Sequence, residues 1–154
     1  MLDTPHIIQT ASLLTAVIHL TIPRAEIQSA MGPGIRDLMA AVAAQGITPT
    51  GPWFNHHFKM APDSWDFEIG VPVGALVVAS GRVTPSKWPA MKAARTIYHG
   101  PYEGLADAWG ELKTWIAVNG HTPAADLYEC YVAGPESSPD PATWRTELTK
   151  PLIT

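Results

Sequence analysis

Cysteine occurs once in the 154 residues, at Cys130, which excludes an internal disulfide framework and fits a reducing compartment. Clusters of basic residues are absent as well. Ten Lys and Arg are scattered against fourteen Asp and Glu, a formal net charge of -4, so the chain lacks the electrostatic footprint of a nucleic-acid surface. No apolar run approaches the length of a membrane span, and the start Met1-Leu2-Asp3-Thr4-Pro5 lacks the basic and apolar regions of a signal peptide. The expectation is a cytoplasmic protein with no membrane partner and no direct nucleic-acid partner. Walker, Gly-x-Ser-x-Gly and dinucleotide fingerprints are missing, so no cofactor is expected. What the chain does have is 46% apolar residues with only 16% charged, enough for the core of one domain over 1–154. Fifteen prolines, roughly twice the usual share, cut it into short elements.

Periodicity orders those elements. Leu14, Ala16, Ile18, Leu20 and Ile22 alternate with Thr15, His19 and Thr21, which predicts a strand over 13–22. From Arg24 to Gln45 apolar residues fall at helical spacings and Gly46 stops the run, with a kink or restart expected at Gly32-Pro33-Gly34. Trp53 to Met60 and Trp65 to Val71 read as two strands joined by the turn residues Ala61-Pro62-Asp63-Ser64. Leu76 to Val78 suggest a further strand, broken at Ser80-Gly81.

The order then repeats. A strand over 93–98 runs into Gly100-Pro101, and Leu105, Trp109, Leu112 and Ile116 mark a helix stopped by Asn119-Gly120. Next come a strand at Leu127-Tyr128-Glu129-Cys130-Tyr131-Val132 and a short extended segment around 144–148. The two helix exits, Gly46-Ile47-Thr48-Pro49 and Gly120-His121-Thr122-Pro123, look alike, and registering them sets Trp53 opposite Leu127, Asn55 opposite Glu129 and His57 opposite Tyr131. Two related modules follow, the first about 1–78 and the second about 79–154. Their main cleft is expected where the two sheets meet, with Asn55 and Glu129 facing it from opposite sides.

The strand over 127–132 carries the oddest residue. Leu127, Glu129 and Tyr131 share one face and Tyr128, Cys130 and Val132 the other, which is wholly sheet-core in character. A lone carboxylate between an aliphatic residue and a phenol is unfavourable unless a side chain or a ligand answers it.

These residues also carry a resemblance. Gly70-Val71-Pro72-Val73, the stretch Ala94 to Leu105, Trp109, Trp115, Glu129-Cys130-Tyr131, Trp144 to Leu148 and Pro151-Leu152 together resemble the GyrI-like family, the effector-binding domain of AraC-type regulators. The resemblance implies an α+β fold of duplicated antiparallel modules with one helix packed on each sheet, an SHS2-like tandem. It also implies an apolar ligand cleft between the modules with a buried glutamate, here Glu129. Family members include drug binders, ligand sensors, DNA gyrase inhibitors and hydrolases of cyclopropane-bearing natural products. A chain of this length reads as a stand-alone small-molecule binder, with DNA gyrase or a transcription regulator as a possible protein partner.

On that reading the ligand is lipophilic, aromatic and often cationic. Glu129 is its charged contact, and Tyr131, Trp53, Tyr98, Trp65, Trp88 and Asn55 are the candidate lining. The alternative is a hydrolase of strained electrophiles, with Glu129 as general base and Tyr98 or Tyr131 holding the leaving oxygen. Trp109 and Trp115 are assigned to core packing and Cys130 to a buried, inert thiol. Asp66 and Glu68 are placed at a solvated rim. His56 and His57 point to opposite faces of a strand, so no metal site is expected.

Overall fold

The computed structural model describes residues 1–153, which run β1 (His6–Gln9), β2 (Leu13–Pro23), α1 (Ile27–Ala44), β3 (Phe54–Met60), β4 (Ser64–Pro72), β5 (Val83–Trp88), β6 (Lys92–His99), α2 (Leu105–Val118), β7 (Thr122–Pro123), β8 (Leu127–Ala133) and β9 (Arg145–Ile153). Single 3-10 turns at Arg24–Glu26 and Tyr102–Gly104 lead into the two helices. The contacts divide the chain into two units, residues 11–90 and residues 1–10 with 91–154.

In residues 11–90 the antiparallel order is β3-β4-β2-β5. Alternation along β2 sends Ala16 and Ile18 to the face covered by α1, where they meet Phe67, Ile69 and Val71 of β4 and Leu38 and Val42 of the helix. The helix runs unbroken through Pro33. Proline there forfeits the bond to the Ser29 carbonyl, but Gly34 lets the helix approach the sheet so closely that a Cβ on it would lie 2.7 Å from Ile69 Cδ1. Burial of the Leu38 and Val42 stripe outweighs the lost bond.

Residues 1–10 and 91–154 repeat the plan with the order β1-β6-β9-β8, and the short β7 pairs with the far end of β9. α2 covers this sheet with Trp109, Leu112 and Ile116 against Ala94, Leu127, Leu148 and Leu152. Both helices end the same way. The amide of Ile47 reaches back to the Val42 carbonyl and that of His121 to the Ile116 carbonyl, with Gly46 and Gly120 at φ 69° and 78°. The register agrees with this match, because Asn55 lies opposite Ile69 as Glu129 lies opposite Leu148.

Several expectations need correction. Leu76 and Val78 are exposed and form no strand; the strand lies later, at β5. The segment expected around 144–148 is longer, extending to Ile153 in β9. The units also divide near residue 90 rather than 78. β5 closes the first unit by pairing with β2, while β1 precedes β2 in the chain but pairs with β6, so the N-terminal strand joins the unit from which it is separated in sequence. Finally, the face of β8 turned to α2 is that of Leu127, Glu129 and Tyr131, not that of Cys130. Trp109 supplies the polar partner that lets a carboxylate sit there.

Candidate functional site

Glu129 is 6% exposed, under α2, and both its oxygens accept hydrogen bonds from aromatic side chains. Trp109 Nε1–H donates to Oε2 at 2.7 Å and the Tyr131 hydroxyl donates to Oε1 at 2.6 Å. The stripe Leu105, Trp109, Leu112 and Ile116 fixes the indole over β8, and two-residue alternation puts Tyr131 beside the carboxyl. Burial raises the proton affinity of Glu129 above the ordinary carboxylate range, and the donations from Tyr131 and Trp109 oppose that rise without cancelling it. The Tyr131 phenol is likewise pushed well above its usual value, first by burial and then by the adjacent carboxyl.

More aromatic surface surrounds this pair. Tyr102 stands edge-on to Tyr131 with centroids 5.9 Å apart and lies 5.1 Å from the ring of Trp144. Gly134 makes room for it, since a Cβ there would fall 2.6 Å from the Tyr102 hydroxyl. Thr146 of β9 lies between Tyr98 and Tyr131 in the cross-strand register.

Tyr98 is buried in the same core, but its hydroxyl donates to the Pro101 carbonyl at 2.8 Å and its ring packs beneath Gly104. That hydroxyl is therefore engaged with backbone. A pocket of about 210 Å³ is lined by Tyr98 together with Met1, Leu2, Gly104, Asp107, Ala108 and Glu111.

In residues 11–90, Asn55 is buried on the α1 face with its amide 3.9 Å from the Met31 sulfur. His57 shares that face, stacked on Phe67 and edge-on to Trp65, both at 5.2 Å. Trp53 and Trp65 pack against the same core. Trp88 lies on the other face of this sheet, edge-on to Phe54 at 5.1 Å. Trp53, Asn55 and Trp65 thus lie on the α1 side of this sheet and Trp88 on the other.

Burial pushes the Cys130 thiol up to about 12, so it is a poor nucleophile. Asp66 is bonded to His19 and Thr21 on the exposed face, and the His19 contact chiefly holds its carboxyl below the usual range. Among the described residues no group of three or more His, Cys, Asp or Glu is placed to hold a metal, and no helix is long and apolar enough to cross a membrane.

Trp109, Tyr102, Trp144, His57 and Thr146 were not singled out as site residues from the sequence. For Trp109 a signal existed. A buried indole N–H needs an acceptor, and Glu129 needed donors.

The fold has close relatives among solved structures. The C-terminal domain of EcmrR superposes with a TM-score of 0.87 at 22% identity, covering 98% of each chain. The same region matches EcmrR in its complex with DNA, where the present chain spans only 57% of the EcmrR chain. A hydrolase encoded by lin2189 from Listeria innocua matches with a TM-score of 0.73 at 12% identity over 97% of this chain and 91% of that one. SAV2435 bound to tetraphenylphosphonium matches with a TM-score of 0.60 at 15% identity, covering 98% and 94%. At these identities the likeness is one of fold, and no curated protein sequence matches. The sequence profile described as GyrI-like small molecule binding domain matches residues 3–153, and on that span the chain belongs to the GyrI-like family of small-molecule-binding domains.

Proposed function

We propose that this domain captures lipophilic aromatic cations and that Glu129 is the charged contact. The observation that carries the reading is a carboxyl almost wholly removed from water, held by an indole and a phenol and enclosed by aromatic rings. Burial makes it favour a proton, and a bound cation can take the proton's place as counter-charge. Neighbouring rings such as Tyr131 and Tyr102 add apolar area and cation-π attraction of about 0.5–2 kcal/mol each. The fold neighbour SAV2435, bound to a phosphonium with four phenyl groups, supports the same class of ligand.

Tryptophan fluorescence quenching tests it, with tetraphenylphosphonium and the neutral triphenylphosphine oxide titrated into wild type and Glu129→Gln. The cation should lose about tenfold or more in affinity on substitution, roughly 1.4 kcal/mol, and the neutral compound little. Equal binding of the cation by both proteins would sink the reading.

A second reading has its own support in the Tyr131 hydroxyl, 2.6 Å from a carboxyl of raised proton affinity, and in the fold neighbour that is a hydrolase. Glu129 would then take a proton from water as it attacks a strained ring, and a phenol would protonate the leaving atom. Mass spectrometry of a cyclopropane-bearing electrophile separates the two, because only a hydrolase adds water to it and only with Glu129 intact.

A further inference from the structure

We propose that Thr146 is a specificity-determining residue of the Glu129 site, selecting cations that carry an N–H on the charged centre, protonated amines and amidiniums, over permanently charged cations that carry none. The inference rests on Glu129 as the cation contact and adds which cations it takes.

Thr146 is fully buried on the face of β9 turned to α2, directly across from Tyr98 on one side and Tyr131 on the other. Glu129 pairs with Leu148, one step along the same face, which makes Thr146 and Glu129 diagonal neighbours. The flanking hydroxyls are committed, that of Tyr98 to the Pro101 carbonyl and that of Tyr131 to Glu129. The Thr146 Oγ1 has no hydrogen-bond partner among the described residues. Buried polar groups normally have one, so an unsatisfied buried hydroxyl diagonal to Glu129 points to a partner that arrives with the ligand.

The fold does not ask for a hydroxyl here. In the other unit the matching position, opposite His57 as Thr146 is opposite Tyr131, is Phe67, also fully buried. Valine would satisfy the strand and the packing as well as threonine does. The hydroxyl accepts as well as donates. A protonated amine can give one N–H to the Glu129 carboxylate and a second polar contact to Thr146, whereas a quaternary ammonium or phosphonium can meet only the charge.

A matched pair of probes tests this: a protonated diphenylalkyl amine and its N,N,N-trimethyl quaternary derivative, titrated by fluorescence quenching into wild type, Thr146→Val, Thr146→Ser and Glu129→Gln. Thr146→Val should weaken the amine about tenfold, the size of one hydrogen bond to a charged group, and leave the quaternary cation within about twofold. Thr146→Ser, which keeps the hydroxyl, should retain the wild-type preference, and Glu129→Gln should weaken both probes. An equal effect of Thr146→Val on both probes, or none on either, overturns the role of Thr146 while leaving Glu129 as the cation contact. Wild type that binds neither probe overturns both readings together.

Discussion

Tyr131 and Glu129 lie two residues apart on β8, leave the strand on the same face, and join phenol to carboxylate at 2.6 Å in the interior. The strand's alternation alone brings them together. The chain thereby holds a carboxyl where ionisation is resisted, and that resistance has consequences for stability as well as for binding.

The first concerns Glu129→Gln without ligand. Because burial raises the folded-state proton affinity of Glu129 above its unfolded value, the stability linked to it is fully present below the unfolded value and is lost as pH rises through the folded one. Glutamine avoids that loss and keeps both contacts, accepting from Trp109 with its oxygen and donating its amide to Tyr131. The variant should therefore melt higher than wild type at pH 7–8, by about 1–3 kcal/mol, and the two should converge toward pH 4. Thermal melts across that range check it, and a variant less stable than wild type at neutral pH would contradict it.

The second concerns the indole. Trp109→Phe keeps a ring on the α2 stripe but removes the donor to Oε2, one of the two bonds that favour the ionised carboxyl. The proton affinity of Glu129 should rise further, so the pH at which cation affinity is half-developed should move upward relative to wild type. A pH series of quenching titrations reads that midpoint. An unchanged midpoint with uniformly weaker binding would make Trp109 a packing residue only.

These two residues also show what could be read from the chain beforehand. The alternation of β2 and β8, the stripe of α2 and the paired glycine exits are local patterns, and local patterns place Glu129 in a strand next to a helix. What stayed hidden depends on partners far away in sequence. β5 contains Pro85, Ser86 and Lys87, a poor strand by propensity, and forms because it pairs with β2 at the edge of that sheet. Leu76 and Val78 are apolar enough for a strand and find no such partner. Trp109 fits the apolar stripe of α2, and a stripe does not show which distant acceptor its N–H will meet.

The third prediction lies in the other unit. His57 is buried between Phe67 and Trp65, and burial first, then the neighbouring His56, lowers its pKa to about 4. It stays neutral in the fold where the unfolded chain, near 6.5, takes a proton. Stability linked to it is present above pH 6.5 and is lost as pH falls toward 4, by at most about 3 kcal/mol. His57→Gln cannot be protonated, so its stability should be flatter over that window. The difference between the two urea curves isolates His57, and parallel curves would show that it titrates normally.

Lys150 supplies the last. It is 2% exposed on the α2 face of β9, beside Ala94, and burial and then repulsion from Lys113 lower its pKa to about 8 against the opposing pull of Asp126. Below pH 8 the ammonium is charged in both folded and unfolded chains, so the folded state bears the full desolvation penalty. Between pH 8 and about 10.5 only the unfolded chain holds the proton, and stability linked to Lys150 rises through that window. Lys150→Met keeps most of the stem and removes the charge, so it should be more stable than wild type at pH 7, by about 1 kcal/mol or 2–4 °C in Tm for a chain of this size. That advantage should shrink as pH is raised from 8 to 10. The Cys130 thiol, pushed up to about 12, pulls the opposite way at high pH, but both proteins carry it and it drops out of their difference. A wild type more stable than Lys150→Met at pH 7 would mean that the ammonium has a favourable contact strong enough to outweigh its burial.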